Sequence, residues 1–179
     1  NRSQLRTAVR VLRDCVDVVL VDGAYHRQAA AHPDVADAVV VAVGALAGPT
    51  WQTAIEASMP TLRALLAPQA AAPDRVPVVS VAGALTDAVI AAHPAAATFA
   101  VRDPSRVLLT DVGWRALDRQ GARAVVDTAV PVAAVVVNPF RPSGASDDAV
   151  AFGAAMAERL AHFGVPIVDV VAELGWAGG

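Results

Sequence analysis

The sequence predicts an α/β fold: a mainly parallel sheet with helices on both faces, in a Rossmann-like or P-loop-like three-layer arrangement. Valine-rich, mostly apolar runs, such as VDVVLV at 16–21 and VAAVVV at 132–137, are typical of parallel strands that are buried on both faces. Segments with helical periodicity alternate with these runs, as they do in βαβ units. We therefore expect residues 18–21, 39–43 and 132–137 to be inner strands of one sheet.

Amphipathic spacing and capping signals predict the helices. Thr50 is a suitable N-cap for a helix that Pro60 is expected to kink or split, and Asp111 is a suitable cap for another. Gly121 and Gly164 are placed to end two helices. The predicted helices span residues 1–14, 50–66, 85–92, 111–119 and 147–162. The predicted strands span residues 16–21, 38–43, 78–81, 98–101, 106–109, 124–126, 132–137 and 165–170, and residues 68–77 form a loop.

Composition excludes several classes of protein. The 179 residues suit one α/β domain, expected to span residues 1–179, and a 55% hydrophobic content excludes a disordered chain. A net charge of −3 gives no excess of basic residues to bind phosphates, and 4% aromatic residues are few for stacking on bases, so the composition does not indicate a nucleic-acid-binding protein. The apolar runs are shorter than the roughly 20 residues of a membrane helix. We therefore expect neither a nucleic acid nor a membrane as partner.

The basic residues and the single cysteine narrow the chemistry further. All 14 basic residues are arginines, so the sequence holds neither a complete P-loop GxxxxGK[ST] nor a lysine for a pyridoxal Schiff base. The one cysteine, Cys15, excludes an internal disulfide and a CxxC metal or redox motif. It also suits a reducing compartment, so we expect a cytoplasmic protein.

Uncommon polar residues and glycines follow the predicted strands. Ligands of open parallel sheets bind beyond the carboxyl ends of the strands, so this pattern predicts a binding site at those ends. The residues concerned are Asp22, Gly44, Gly83, Thr86, Asp87, Asn138 and Asp169.

Each of these positions also has a structural interpretation. A carboxylate such as Asp22 at the end of an apolar strand suits Mg²⁺ or the orientation of a water, but Asp22-Gly23 also suits an ordinary turn. The segment at 83–87 can offer backbone N–H groups to an anion or simply begin a helix. Asn138 before Pro139 is held extended, which a structural turn explains almost as well.

Histidines show no metal-binding spacing. His26, His32, His93 and His162 form neither HxH nor HExxH, and three of them lie near prolines or predicted helix ends. We expect them to be ordinary surface or capping residues rather than ligands.

An ordered set of motifs resembles the reactivases of lysine 5,6-aminomutase, an adenosylcobalamin- and pyridoxal-phosphate-dependent enzyme. In the segment 18–46, a strand is followed by Asp22-Gly23-Ala24, then Arg27, then a short apolar helix at 33–37, and a second strand ending in Gly44-Ala45. Further motifs follow in the same order: GALTD at 83–87, RDPSRVLL at 102–109, Trp114, VNPFRP at 137–142 and PIVDV at 166–170.

This resemblance implies an ATP-dependent, chaperone-like factor that restores an inactivated aminomutase. It implies ATP and Mg²⁺ as cofactors of the full-length protein, with Asp22 as the catalytic, metal-holding residue and Gly23 and Arg27 beside it. The strand-end residues Gly44, Thr86, Asp87 and Asn138 complete the candidate cofactor-binding set. The aminomutase is the implied partner, and a second reactivase subunit is a further candidate.

Two departures from the family pattern shape these expectations. The family carries an N-terminal P-loop with its lysine, so we expect this chain to be the C-terminal part of a longer protein, with any ATPase activity confined to the full-length form. His26 also stands where the family usually has an acidic or amide residue.

Two other functions stay open at this stage. The chain could be an independent α/β domain that binds a small anionic ligand at its strand ends through Asp22, Asp87 and Asn138. Alternatively, it could be a structural or regulatory domain whose polar strand ends only cap turns.

Overall fold

A computed structural model describes residues 2–22, 32–70, 78–141, 143, 146–169 and 174–176 of the chain. It confirms the predicted fold class, because helices alternate with strands that are mainly parallel. The helices are α1 (Arg2–Arg13), α2 (Trp51–Leu65), α3 (Asp87–Ala92), α4 (Asp111–Arg119) and α5 (Ala149–Leu160). The strands are β1 (Val39–Gly44), β2 (Val78–Ser80), β3 (Leu85–Thr86), β4 (Thr98–Val101), β5 (Val107–Leu108), β6 (Arg123–Val126), β7 (Val132–Asn138), β8 (Ile167–Asp169) and β9 (Leu174–Trp176).

The chain divides into two compact units. The first contains Asn1–Ala38 and Ala67–Pro131, and the second contains Val39–Leu66 and Val132–Gly179. The described strands form three sheets rather than the single sheet expected from the sequence: one four-stranded sheet in the second unit, and a three-stranded and a two-stranded sheet in the first.

The second unit is built on the sheet β1-β7-β8-β9. Strands β1, β7 and β8 are parallel, and β9 pairs antiparallel with β8. Alternate residues of β1 and β7, such as Val43, Val135 and Val137, are buried in a core with residues of α2 and α5. The prediction that residues 132–137 form an inner strand is therefore confirmed, whereas β1 lies at the edge of the described sheet.

Capping and glycine signals place the helices of the second unit as predicted. Thr50 and Thr53 form a reciprocal capping box at the start of α2, which satisfies backbone N–H groups that have no partner within the helix. Helix α2 continues through Pro60 without ending there. Asp148 caps α5 by accepting a bond from the N–H of Ala151.

The first unit contains the all-parallel sheet β2-β4-β6. Phe99 and Val101 of β4 and Val126 of β6 are among its most deeply buried residues. A second, two-stranded parallel sheet joins β3 to β5. Helix α4 has the predicted bounds, but its N-cap is Thr110 and not Asp111, because the Thr110 hydroxyl accepts the N–H of Val112.

The clearest difference from the sequence prediction concerns residues 16–21. This segment is not a strand, and among the described residues no strand pairs with it. Val18 is 71% exposed and Leu20 is 92% exposed, so the predicted burial on both faces is wrong. An apolar run favours a strand, but a strand also needs a neighbouring strand to bond its backbone N–H and C=O groups, and the local sequence does not specify that neighbour.

No helix in the described part of the chain is both long and apolar enough to cross a membrane.

Candidate functional site

The predicted site residues are divided between the two units. Asp22, Thr86 and Asp87 belong to the first unit, whereas Gly44 and Asn138 belong to the second. Gly23 and Arg27 lie outside the described residues. The site must therefore be assessed one unit at a time.

Asp22 ends the segment 16–22, which is neither helix nor strand, and is exposed. Among the described residues, no side chain or backbone group makes a hydrogen bond or an ion pair with its carboxylate. No group of three His, Cys, Asp or Glu side chains suited to a metal occurs in the described residues. Mg²⁺ needs no such cage, since it is commonly held by one or two carboxylates together with substrate phosphates and waters.

Gly44 and Asn138 lie side by side at the carboxyl edge of the second unit's sheet. They are register partners at the ends of β1 and β7, as the sequence predicts for residues that follow neighbouring parallel strands. The Asn138 Oδ1 accepts the N–H of Phe140 at 3.1 Å, which closes a local turn. Asp169 ends β8 in the same sheet and is fully buried.

Arg141 ties together the two loops that follow β1 and β7. Its guanidinium donates to the Gly48 carbonyl at 3.1 Å and to both carboxylate oxygens of Asp147, at 3.4 Å and 2.7 Å. The pair is only about one-fifth exposed, which makes this bidentate contact stronger than a surface ion pair. The loops at the carboxyl edge of the second unit's sheet are therefore cross-linked by the bonds of Arg141.

Asp87 has a structural role in the first unit, whereas no bond of the Thr86 side chain is found among the described residues. Thr86 occupies the N-cap position of α3, but its side chain makes no capping bond, and α3 has only six residues. Asp87 accepts the Thr110 N–H at 3.0 Å and the Thr110 hydroxyl at 2.5 Å. Both carboxylate oxygens of Asp87 are thus committed to joining the starts of α3 and α4.

Gly113 makes the bond between Asp87 and Thr110 sterically possible. A Cβ at this position would lie 2.0 Å from the Asp87 Oδ1, so Gly113→Ala must displace the carboxylate and break its bonds to Thr110. The lost bonds and the crowding should lower the free energy of unfolding by about 3 kcal/mol, and the greater helix propensity of alanine should raise it by about 1 kcal/mol. We expect denaturant unfolding to give a net loss of about 2 kcal/mol.

Two variants serve as controls for Gly113→Ala. A Cβ at Gly83 meets nothing within 4 Å, so Gly83→Ala should change stability by less than about 0.5 kcal/mol. In an Asp87→Ala background the contact with the carboxylate is gone and the end of the Leu109 side chain, 3.0 Å from the added Cβ, is the close neighbour that remains. The loss caused by Gly113→Ala should then fall to about 0.5 kcal/mol or less. An equal loss in both backgrounds would contradict the assigned clash.

A buried polar group that the sequence analysis did not single out lies in the first unit. His32 and Asp103 are 2% and 1% exposed, and the His32 Nε2 lies 3.3 Å from the Asp103 Oδ2. Neither of these two atoms has a hydrogen-bond partner in the described part of the chain. His32 is therefore buried rather than at the surface. The capping alternative is confirmed, because its Nδ1 accepts the Asp34 N–H of the turn that follows.

Bonds to the other atoms of the pair hold each side chain in place. The Nδ1 of His32 accepts the Asp34 N–H at 3.0 Å and lies 3.6 Å from the Asp34 Oδ2. The Asp103 Oδ1 accepts the N–H of Ser105 at 3.0 Å and its hydroxyl at 2.5 Å. Because Nδ1 is occupied, the pair is not arranged as a general base and instead holds two segments together.

This pair lies at the carboxyl edge of the first unit's sheet. Asp103 follows β4 by two residues, and the backbone N–H groups of Asp127 and Thr128, which follow β6, donate to the carbonyls of Val101 and Arg102. Polar residues therefore gather at this edge as the topology of a parallel sheet predicts. The signal that could have drawn attention to Asp103 is Asp-Pro after a strand, since Asp103 caps the turn Pro104–Arg106.

Comparisons of the chain with protein-family models, with curated proteins and with solved structures found no match.

Proposed function

We propose that this chain works in an ATP-dependent reactivating factor for adenosylcobalamin-dependent lysine 5,6-aminomutase. The observation that carries the proposal is the ordered set of motifs that resembles this family. The geometry adds support, because motif segments contact one another: His32, which lies between Asp22 and Gly44, meets Asp103 of the RDPSRVLL motif, and Gly44 pairs with Asn138 of the VNPFRP motif.

Asp22 is the residue proposed to act on the nucleotide. Its exposed carboxylate would hold Mg²⁺ while the phosphates of ATP provide further oxygen ligands. Bound ATP·Mg²⁺ would supply the free energy for remodelling the partner enzyme. The chain itself contributes the placement of that carboxylate at the end of residues 16–21.

The experiment that tests this proposal measures recovery of enzyme activity. Lysine 5,6-aminomutase inactivated by turnover is incubated with the gene product that carries this chain, with and without ATP·Mg²⁺. The proposal predicts recovery that requires both the protein and the nucleotide.

The isolated 179-residue chain should bind ATP·Mg²⁺ only weakly. Backbone N–H groups of a P-loop and its lysine provide much of the phosphate affinity of P-loop proteins, and this sequence has neither. We expect calorimetry to give a dissociation constant of about 1 mM, or roughly −4 kcal/mol. Micromolar binding would reveal a nucleotide site of another kind and would contradict the assignment of phosphate affinity to a P-loop outside these residues.

A second candidate function is the binding of a small anion at the strand ends, independently of any aminomutase. The observation that favours it is the carboxyl edge of β4, where the arginines of the RDPSRVLL motif flank a turn that is fixed by buried side chains. Anion binding that persists without any aminomutase would separate this function from reactivation.

A further inference from the structure

The turn after β4 presents two arginines that the described structure does not neutralise. Arg102 is exposed and Arg106 is half-buried, and they flank the short turn Pro104–Arg106. In the described part of the chain, neither guanidinium makes a hydrogen bond or an ion pair. Several other arginines do have carboxylate partners, among them Arg13 with Asp37 and Arg141 with Asp147.

The backbone between these two arginines is held rigidly. Asp103 accepts two bonds from Ser105, the N–H of Arg106 donates to the Asp103 carbonyl at 3.0 Å, and His32 packs against the remaining carboxylate oxygen. The charge of Asp103 is thus buried and engaged within the turn. A fixed backbone lowers the entropic cost of bringing two cations to one ligand.

The position of the turn favours a ligand. It begins at the carboxyl end of β4, the central strand of β2-β4-β6, which is the edge where open parallel sheets bind their ligands. Asp127 follows β6, and its backbone N–H donates to the carbonyl of Val101, the residue before Arg102. In the described residues it makes no ion pair with either arginine. Its exposed carboxylate would oppose an anion at this edge, so its removal should strengthen anion binding.

We propose that Arg102 and Arg106 form a binding site for a phosphate group at the carboxyl edge of the first unit. Guanidinium groups match phosphate oxygens in geometry and charge, and they do not lose their charge at any physiological pH. The proposal rests on the second candidate function, anion binding at strand ends, and is independent of reactivation.

Titration of the full chain with inorganic phosphate and with tripolyphosphate, at constant ionic strength, tests the site. We expect millimolar binding of tripolyphosphate that weakens roughly tenfold in Arg102→Gln and in Arg106→Gln. Arg119→Gln is the matched control, since Arg119 is also exposed and has no partner in the described residues, and it should leave binding unchanged. Asp127→Asn should strengthen binding a few-fold, because it removes an opposing charge.

The possible results distinguish the Arg102–Arg106 site from anion binding elsewhere in the chain. Binding that survives both arginine variants would overturn this site while leaving anion binding elsewhere in place. No binding by the wild-type chain would overturn both. If the site holds, equal affinity for ATP and tripolyphosphate would assign it to phosphate groups alone, whereas tighter binding of ATP would assign it to a nucleotide.

Discussion

Replacing His32 with leucine is expected to lower the free energy of unfolding by about 3 kcal/mol. The substitution leaves the buried Asp103 carboxylate without the imidazole that faces it at 3.3 Å, and an uncompensated buried charge is among the costliest defects in a protein. Denaturant unfolding at pH 7 measures the loss. His162→Leu is the control, since His162 is exposed, and it should change stability by about 0.5 kcal/mol or less.

A double variant identifies the origin of this loss. Replacing His32 and Asp103 together by leucine removes both polar groups, so the remaining cost should be about 1 kcal/mol, which reflects the lost cap on Ser105. The two single losses should therefore not add. Additive losses, or a neutral His32→Leu variant, would contradict the assigned coupling between the imidazole and the carboxylate.

In the gene product that carries this chain, Asp22→Asn is expected to reduce the rate of ATP hydrolysis or of reactivation at least tenfold, about 1.4 kcal/mol in barrier. Asparagine keeps the size of the side chain and one oxygen but loses the charge proposed to hold Mg²⁺. Because Asp22 is exposed and makes no bond among the described residues, stability should change by about 1 kcal/mol or less. The melting temperature should then stay within a few degrees of wild type.

Asp17→Asn is the matched control for this experiment. Asp17 is an exposed carboxylate in the same segment, 16–22, and its replacement should leave the rate unchanged. Full activity of Asp22→Asn would contradict the metal role and support the alternative interpretation, in which Asp22 only forms a turn. Equal losses in both variants would point to a general effect of charge on this segment and would contradict a specific metal role for Asp22.

Features that depend on neighbouring residues were predictable from the sequence. Helix α4 has the predicted bounds, and Thr50 caps α2, because capping is decided within a few residues. Gly164 adopts a positive φ of 64° where a helical turn ends, which is the conformation that its position predicts. Strand β7 was predictable because a central strand needs apolar residues along its whole length.

Features that depend on distant partners were not predictable in this way. Residues 16–21 have the composition of a buried strand, yet pairing depends on where another strand lies. His32 and Asp103 are far apart in sequence, so the contact between them could not be predicted from the residues around either one. Asp87 was predicted as a ligand residue from its place after a predicted strand, but its bonds to Thr110 depend on the approach of α4.

The most direct test of the proposed function follows the activity of lysine 5,6-aminomutase after inactivation. The inactivated enzyme is incubated with the gene product that carries this chain, fresh adenosylcobalamin and ATP·Mg²⁺, beside parallel samples that lack nucleotide or contain the Asp22→Asn variant. We predict recovery of activity with the wild-type protein and ATP, and at least tenfold slower recovery with the variant. No recovery with the wild-type protein, or recovery that is the same without ATP, would contradict it.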